Sequence, residues 1–167
     1  MKTLCHLPTA ARLDQSEAIL ESLQAGFFEA YFEKEILTAV CEPKTVKIVR
    51  MEFIHRGNQP TVCAKIVDLK GKERKVAERP VAADFFNRRH AGQAEESYSA
   101  EFSTSELQAI FSQPNCVGMR IMPGLAKTPD GGPKRTFIAV GVQKGGFDMA
   151  QGLGYLRSEF PKNGMVA

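Results

Sequence analysis

Ten cationic side chains, Lys44, Lys47, Arg50, Arg56, Lys65, Lys70, Lys72, Arg74, Lys75 and Arg79, fall between positions 44 and 79. Cations on adjoining strands can track a phosphate backbone, so Lys47, Arg50, Lys65 and Arg74 are candidate nucleic-acid contacts. Glu52, Asp68, Glu73 and Glu78 dilute that field, and Phe53 alone offers a stacking ring on these strands. A solvated, charged face is the competing reading. A second polar group, Asp84, Arg88, Arg89 and His90, could anchor a small ligand if a pocket opens between the two halves of the chain. The run Asp130-Gly131-Gly132-Pro133-Lys134-Arg135 sets small residues before two cations, which suits a phosphate. It lacks the spacing of a nucleotide fingerprint and has no helix start behind it, so a long hairpin loop is the simpler reading.

Covalent or metal chemistry finds less support. A cysteine nucleophile needs a histidine in reach and a lowered thiol pKa. Cys116 with His90 or His55 is the available pairing, but Cys116 opens an apolar strand. Cys5-His6 is the only adjacent pair of zinc-type ligands, and no two cysteines form a C-x-x-C pair, so no metal site is expected. Cys5, Cys41, Cys63 and Cys116 are expected as free thiols, mostly buried. No nucleophile, metal or cofactor signature emerges. The leading reading is therefore a non-catalytic binding or scaffold protein. The alternatives are a small-molecule enzyme or sensor with a pocket between the two repeats, and a nucleic-acid binder using the hairpin 44–79.

Bulk properties set the outer bounds. The chain of 167 residues, 43% hydrophobic and 25% charged, has the profile of one ordinary globular domain spanning 1–167. Its net charge of +3 hides an asymmetry. Residues 1–43 hold three Lys and Arg against seven Asp and Glu, residues 44–90 twelve against five, and residues 91–167 seven against seven. No run approaches the ~18 apolar residues of a membrane span. His6 and Pro8 interrupt the apolar start, which makes a poor secretory signal, so no membrane association and a cytoplasmic location are expected.

The elements that must position these residues come in two similar sets. Phe28–Val40 laid over Tyr98–Ile110 at an offset of 70 matches Ala30 with Ala100, Phe32 with Phe102 and Leu37 with Leu107. Further on, Val46 meets Val117, and at an offset of 75 Thr61, Ala64 and Val67 meet Thr136, Ala139 and Val142. Residues 27–71 and 98–145 thus read as two diverged copies of a helix followed by a β-hairpin. Asp14 or Ser16 caps a helix that ends near Gly26, and residues 33–41 form another. Ser103 to Glu106 is a capping box. Strands are expected over 45–54, with a parity change near Ile48, and over 61–69, 116–122 and 135–143, with a polar edge strand over 70–78. Gly118 and Gly141 lie within strands, where a missing side chain marks close approach by a neighbour. The segment 80–101 joins the copies, and 145–167 is expected to be partly irregular.

The pattern Phe102-x-x-x-x-Leu107-x-x-Ile110-x-x-Gln113-Pro114-x-Cys116-Val117-Gly118-Met119-Arg120-Ile121, followed by Val140-Gly141-Val142 and Gly146-x-Asp148, resembles a group of small bacterial proteins with a V-G-x-R-I strand and a V-G-V strand. The group has no assigned activity, so the resemblance implies a bacterial protein of unknown function and carries over no catalytic residue. Two helix-hairpin units in tandem place four strands in one antiparallel sheet with the helices on one face. That α+β order is a circular permutation of a ferredoxin-like sandwich. Strand 136–142 is apolar on both parities, so its second face needs a cover: helix 14–26, the connection 80–97, or a second subunit. A homodimer is expected if those segments pack elsewhere.

Overall fold

A computed structural model describes residues 10–42, 44–81 and 97–160. In chain order the elements are β1 (Ala10–Leu13), α1 (Gln15–Gln24), β2 (Ala30–Glu33), α2 (Lys34–Thr38), β3 (Val46–Arg56), β4 (Gln59–Asp68), β5 (Glu73–Pro80), β6 (Tyr98–Ser103), α3 (Thr104–Phe111), β7 (Cys116–Lys127), β8 (Pro133–Gln143) and β9 (Tyr155–Ser158). The strands form two antiparallel sheets, in the orders β1-β9-β8-β7-β2 and β5-β4-β3-β6. Strands and helices are both present, so the α+β class stands, but the single sheet with helices on one face does not.

The physical reason lies in two short strands within the segments that read as helical units. Ala30 and Phe32 are buried while Tyr31 and Glu33 are not, an alternation of period two over only four residues. Strand β6 likewise turns Ala100 and Phe102 inward. Each crosses to the opposite half: β2 pairs with β7, setting Phe32 against Met119, and β6 pairs with β3, setting Phe102 against Val49. The two hairpins therefore sit in different sheets, and their apolar faces meet. Val49, Met51, Phe53, Val62 and Ala64 of one sheet share a core with Phe32, Met119, Ile121, Phe137 and Ala139 of the other. Burial of such side chains contributes roughly 1.5–3 kcal/mol each, the main term holding the layers together. Arg79 of β5 ties to Glu33 of β2 at 2.6 Å, and Ser158 Oγ of β9 donates to the Glu101 carbonyl of β6 at 2.5 Å.

Helix ends follow the expected chemistry. Asp14 caps α1 and Ser103 caps α3, each in a reciprocal box with the glutamate three residues on. Gly26 takes φ +91° just beyond α1, a conformation open to glycine. The parity change in β3 is a bulge between Val46 and Ile48, and the polar edge strand is β5. Tyr31 packs its ring on Gly118, and a Cβ on Gly141 would lie 2.8 Å from Gln113 Nε2, so both strand glycines admit a neighbour. Strand β9 lies in the tail expected to be irregular, and it joins β1 to β8.

Both faces of β8 are covered. The second sheet lies on one, and α1 lies on the other, where Ala18 packs with Met122, Ile138, Val140 and Tyr155. The chain's own helix supplies the cover, so this sheet face gives no reason for a second subunit. Among the described residues, no helix is long and apolar enough to cross a membrane.

Candidate functional site

The basic hairpin folds into a face where charge is matched side chain by side chain. Arg50 bridges Glu73 and Glu101, with Nε 3.0 Å from Glu101 Oε2. Lys65 stands 3.0 Å from Glu52 and 3.7 Å from Glu73, while Arg56 and Lys75 share Glu78. The Glu101 contact raises the Arg50 guanidinium above its ordinary range, and the Arg56 hydrogen bond holds the Glu78 carboxyl below its own. Lys47 lies at the bulge, where its carbonyl accepts from Thr104 Oγ1 at 2.8 Å, and Arg74 is exposed on β5. Of the four expected contacts, Arg50 and Lys65 are thus engaged by carboxylates. Glu52, Glu73 and Glu78 signal this in the sequence, but their shared face is legible only once the strand pairing is known. Asp84, Arg88, Arg89 and His90 lie outside the described residues.

The thiols are positioned for packing. Cys41, Cys63 and Cys116 are free and buried. Burial pushes the Cys41 thiol up to about 11 and raises that of Cys63, which also faces Glu78 and Glu52. Cys116 Sγ lies 3.3 Å from the Gly118 carbonyl, whereas His55 meets the Phe53 ring edge-on at 5.5 Å. Among the described residues no cluster of three or more His, Cys, Asp or Glu could hold a metal. Since the thiolate is the reactive form, brief alkylation of the native chain near pH 8 is expected to leave Cys41, Cys63 and Cys116 unmodified. All three should react in denaturant, and peptide masses give the readout. Rapid native labelling of Cys116 would contradict the buried-thiol reading.

A cleft of about 550 Å³ opens at the end of the sandwich where β6 approaches β8. The end of α1 contributes Gln24 and Ala25, the start of β6 contributes Ser97, Tyr98 and Ser99, and the β7–β8 hairpin contributes Leu125, Pro133, Lys134 and Arg135. Phe160 completes the wall. Arg135 Nε donates to the Ala25 carbonyl at 3.1 Å, and its guanidinium lies 6.0 Å from the Tyr98 ring centroid. Tyr98 stacks between Phe53 at 5.4 Å and Phe137 at 5.0 Å, so the floor is a tier of rings continuous with the core. Its hydroxyl is buried without a hydrogen-bond partner, and burial pushes the phenol far above its ordinary range. The glycine-rich loop is a turn in which Gly132 accepts from both Thr128 N and Thr128 Oγ1 at 3.0 Å, and its two cations belong to β8.

A polar cluster near the far end of β7 unites residues distant in sequence. Arg120 pairs with Asp148, reaches Glu29 at 3.1 Å and donates to the Gly146 carbonyl at 3.1 Å. Tyr155 donates to Asp148 Oδ2 at 2.7 Å. The chain matches no family model, no curated protein and no solved structure. Arg120 and Asp148 belong to the V-G-x-R-I and G-x-D elements of the sequence pattern, whereas Glu29 and Tyr155 carry no local signal that could have joined them to it. The charges at its centre are paired, Arg120 with Asp148 and Glu29, which suits a clasp between β7, the turn 143–148 and β9. In the cleft, Lys134 is exposed to solvent.

Proposed function

We propose that the chain is a non-catalytic binding protein whose cleft takes a small organic anion. The observation that carries this reading is the lining, which sets Lys134 and Arg135 beside Tyr98, Leu125, Pro133 and Phe160 and, among the described residues, includes no carboxylate. Cations fix a charged group, and a flat apolar wall holds the body of a ligand. The space between the halves is filled by Phe32, Met51, Phe102, Met119 and Ile121, all fully buried, so docking belongs at the end of the sandwich. Raised thiol pKa values and the absence of a nucleophile–base pair among the described residues favour binding over an enzyme or sensor using this cleft. Nucleic-acid binding through residues 44–79 would require Arg50 and Lys65 to leave their glutamates. Its signature would be retention on immobilised DNA or RNA that falls steeply with salt.

We further propose that the halves descend from one duplicated segment. Val46 opposes Asp68 and Ile48 opposes Val67 in the first hairpin, while Cys116 opposes Gln143 and Gly118 opposes Val142 in the second, each with a bulge after the first pair. This register aligns Val46 with Cys116, one position from the match to Val117 suggested by sequence. The pattern shared with the group of small bacterial proteins is proposed to be structural, since its Arg120 and Asp148 meet in the clasp. Three free thiols support a reducing, cytoplasmic setting.

Thermal shift against a panel of aromatic, mono- and dicarboxylic acids and phosphate esters tests the binding reading. A ligand present at 100 times its Kd stabilises by about 2.7 kcal/mol, a rise of roughly 5–10 °C for a domain of this size. Ser99→Trp, which fills the cleft from β6, is expected to abolish that rise while the unliganded chain stays folded. A shift equal in Ser99→Trp and parent would place the ligand elsewhere.

A further inference from the structure

Helix α1 turns its small residues to the sheet and its large ones to solvent. Ala18 and Ser22 are fully buried, whereas Ile19, Leu20 and Leu23 are 40%, 59% and 38% exposed. Close approach explains the inner face. A Cβ on Gly124 of β7 would lie 2.8 Å from Ile138 and 3.0 Å from Glu21 Oε2, and Glu21 fixes the helix there by accepting from Leu125 N at 2.9 Å and pairing with Arg157 at 2.6 Å. Small side chains are thus required beneath α1. Nothing in the fold requires large apolar ones above it. Ile19, Leu20 and Leu23 fall on one stripe of the helix, and the charges at its two ends differ in sign. Asp14 and Glu17 are exposed at the start. Exposed Lys134, which borders the same cleft as Gln24 and Ala25, stands at the finish and has no ion-pair partner among the described residues.

We propose that this face binds a second copy of the chain, the two α1 helices packing antiparallel about a two-fold axis. An isologous interface requires a patch complementary to itself. An apolar middle with acid at one end and base at the other meets that requirement only in the antiparallel sense, in which Asp14 and Glu17 of each copy approach Lys134 of its partner. Parallel packing would oppose like charges. An anionic membrane is the poorer occupant, because interfacial helices flank their apolar face with cations, and Asp14 and Glu17 are acids. The inference shares Lys134 with the cleft but needs no ligand there, and it moves the expected homodimer from the covered face of β8 to the outside of α1.

Sedimentation equilibrium of the full chain from about 5 to 200 µM is the test, since a dimer forms by mass action. The average mass is expected to rise from 18.4 kDa toward twice that value. Leu20→Glu should weaken association about tenfold or more while leaving circular dichroism, and melting at concentrations where the parent is monomeric, unchanged, because Leu20 does not pack in the core. Lys134→Glu should weaken it as well, and adding Glu17→Lys should restore it, with Asp14 still capping the helix. A mass of 18.4 kDa at every concentration overturns the proposal. So does a dimer indifferent to Leu20→Glu, a charge exchange that fails to restore association, or a monomer that binds anionic vesicles through Leu20. Ser99→Trp should leave the mass unaffected, which separates failure here from failure of the cleft reading.

Discussion

Replacing Phe137 with alanine is expected to destabilise the chain by about 3–5 kcal/mol, the cost of truncating a fully buried phenylalanine that its surroundings cannot collapse to refill. Phe137 is fully buried, stacks on Tyr98 and meets Phe28 edge-on at 6.2 Å, while Phe28 in turn stacks on Phe53 at 4.9 Å. These rings come from β3, β6, β8 and the segment before β2, so the cavity would lie where both sheets are joined. For a domain of this length the loss corresponds to a fall in Tm of roughly 6–20 °C. Urea titration gives the free energy directly. Phe147, 70% exposed, is the contrast, since its alanine variant should stay within about 0.5 kcal/mol of the parent. A cost below about 1.5 kcal/mol at Phe137 would mean that the two sheets do not share this core, because surface-like positions alone are so tolerant.

How far the sequence foreshadows this core depends on the length of the signal. In β8, apolar residues on both parities over Thr136–Val142 demand two covers, and the two covers are the second sheet and α1. In α3, Ser103 and Glu106 mark the helix start by local chemistry, and the start lies there. Strand β2 has only Ala30–Glu33 to display its period, and the helix that follows blurs it. Its pairing with β7 connects positions as far apart as Ala30 and Ile121. Strand β9 fails for the same reason, since Tyr155–Ser158 draws its order from Ile138 to Val140 and from β1, not from its own glycine-rich flanks. The outer face of the β3–β4–β5 sheet was half legible. Its cations stand out in composition, but the neutralising Glu101 reaches Arg50 from the paired strand β6 and Glu73 from β5, one strand beyond the partner β4. The cleft was not legible at all, because α1, β6, β7, β8 and the segment after β9 each supply only one to three of its residues. Among those, Pro133, Lys134 and Arg135 belong to a run whose composition marks a loop rather than a wall.

Asp148→Ala is expected to cost about 2–4 kcal/mol, nearly as much as the core truncation, although no large apolar side chain is lost. Asp148 is 14% exposed and Arg120 20%, so the pair is largely withdrawn from water. Removing one partner leaves the other's desolvation uncompensated, which costs 3–5 kcal/mol in fully buried pairs and less where water retains access. Glu29 would still hold Arg120 from one side, but at 52% exposure it screens poorly. The Tyr155 hydroxyl would lose its acceptor too, keeping only its contact with Gln15, at a cost toward the lower end of the ~1–3 kcal/mol of an unmet buried donor. Asp148→Asn discriminates between these contributions. It keeps an oxygen for Tyr155 and discards the charge facing Arg120, so it should fall between parent and alanine. In a double-mutant cycle, Tyr155→Phe should cost markedly less in the Asp148→Ala background than alone, with a coupling of at least ~0.5 kcal/mol. Additivity would mean that Tyr155 and Asp148 act separately, and the clasp would then be no more than an exposed ion pair worth under ~1 kcal/mol. Coupling would show what the arginine on β7 and the aspartate in the turn after β8 do together: they fix the path by which the chain leaves β8 and returns as β9 beside it.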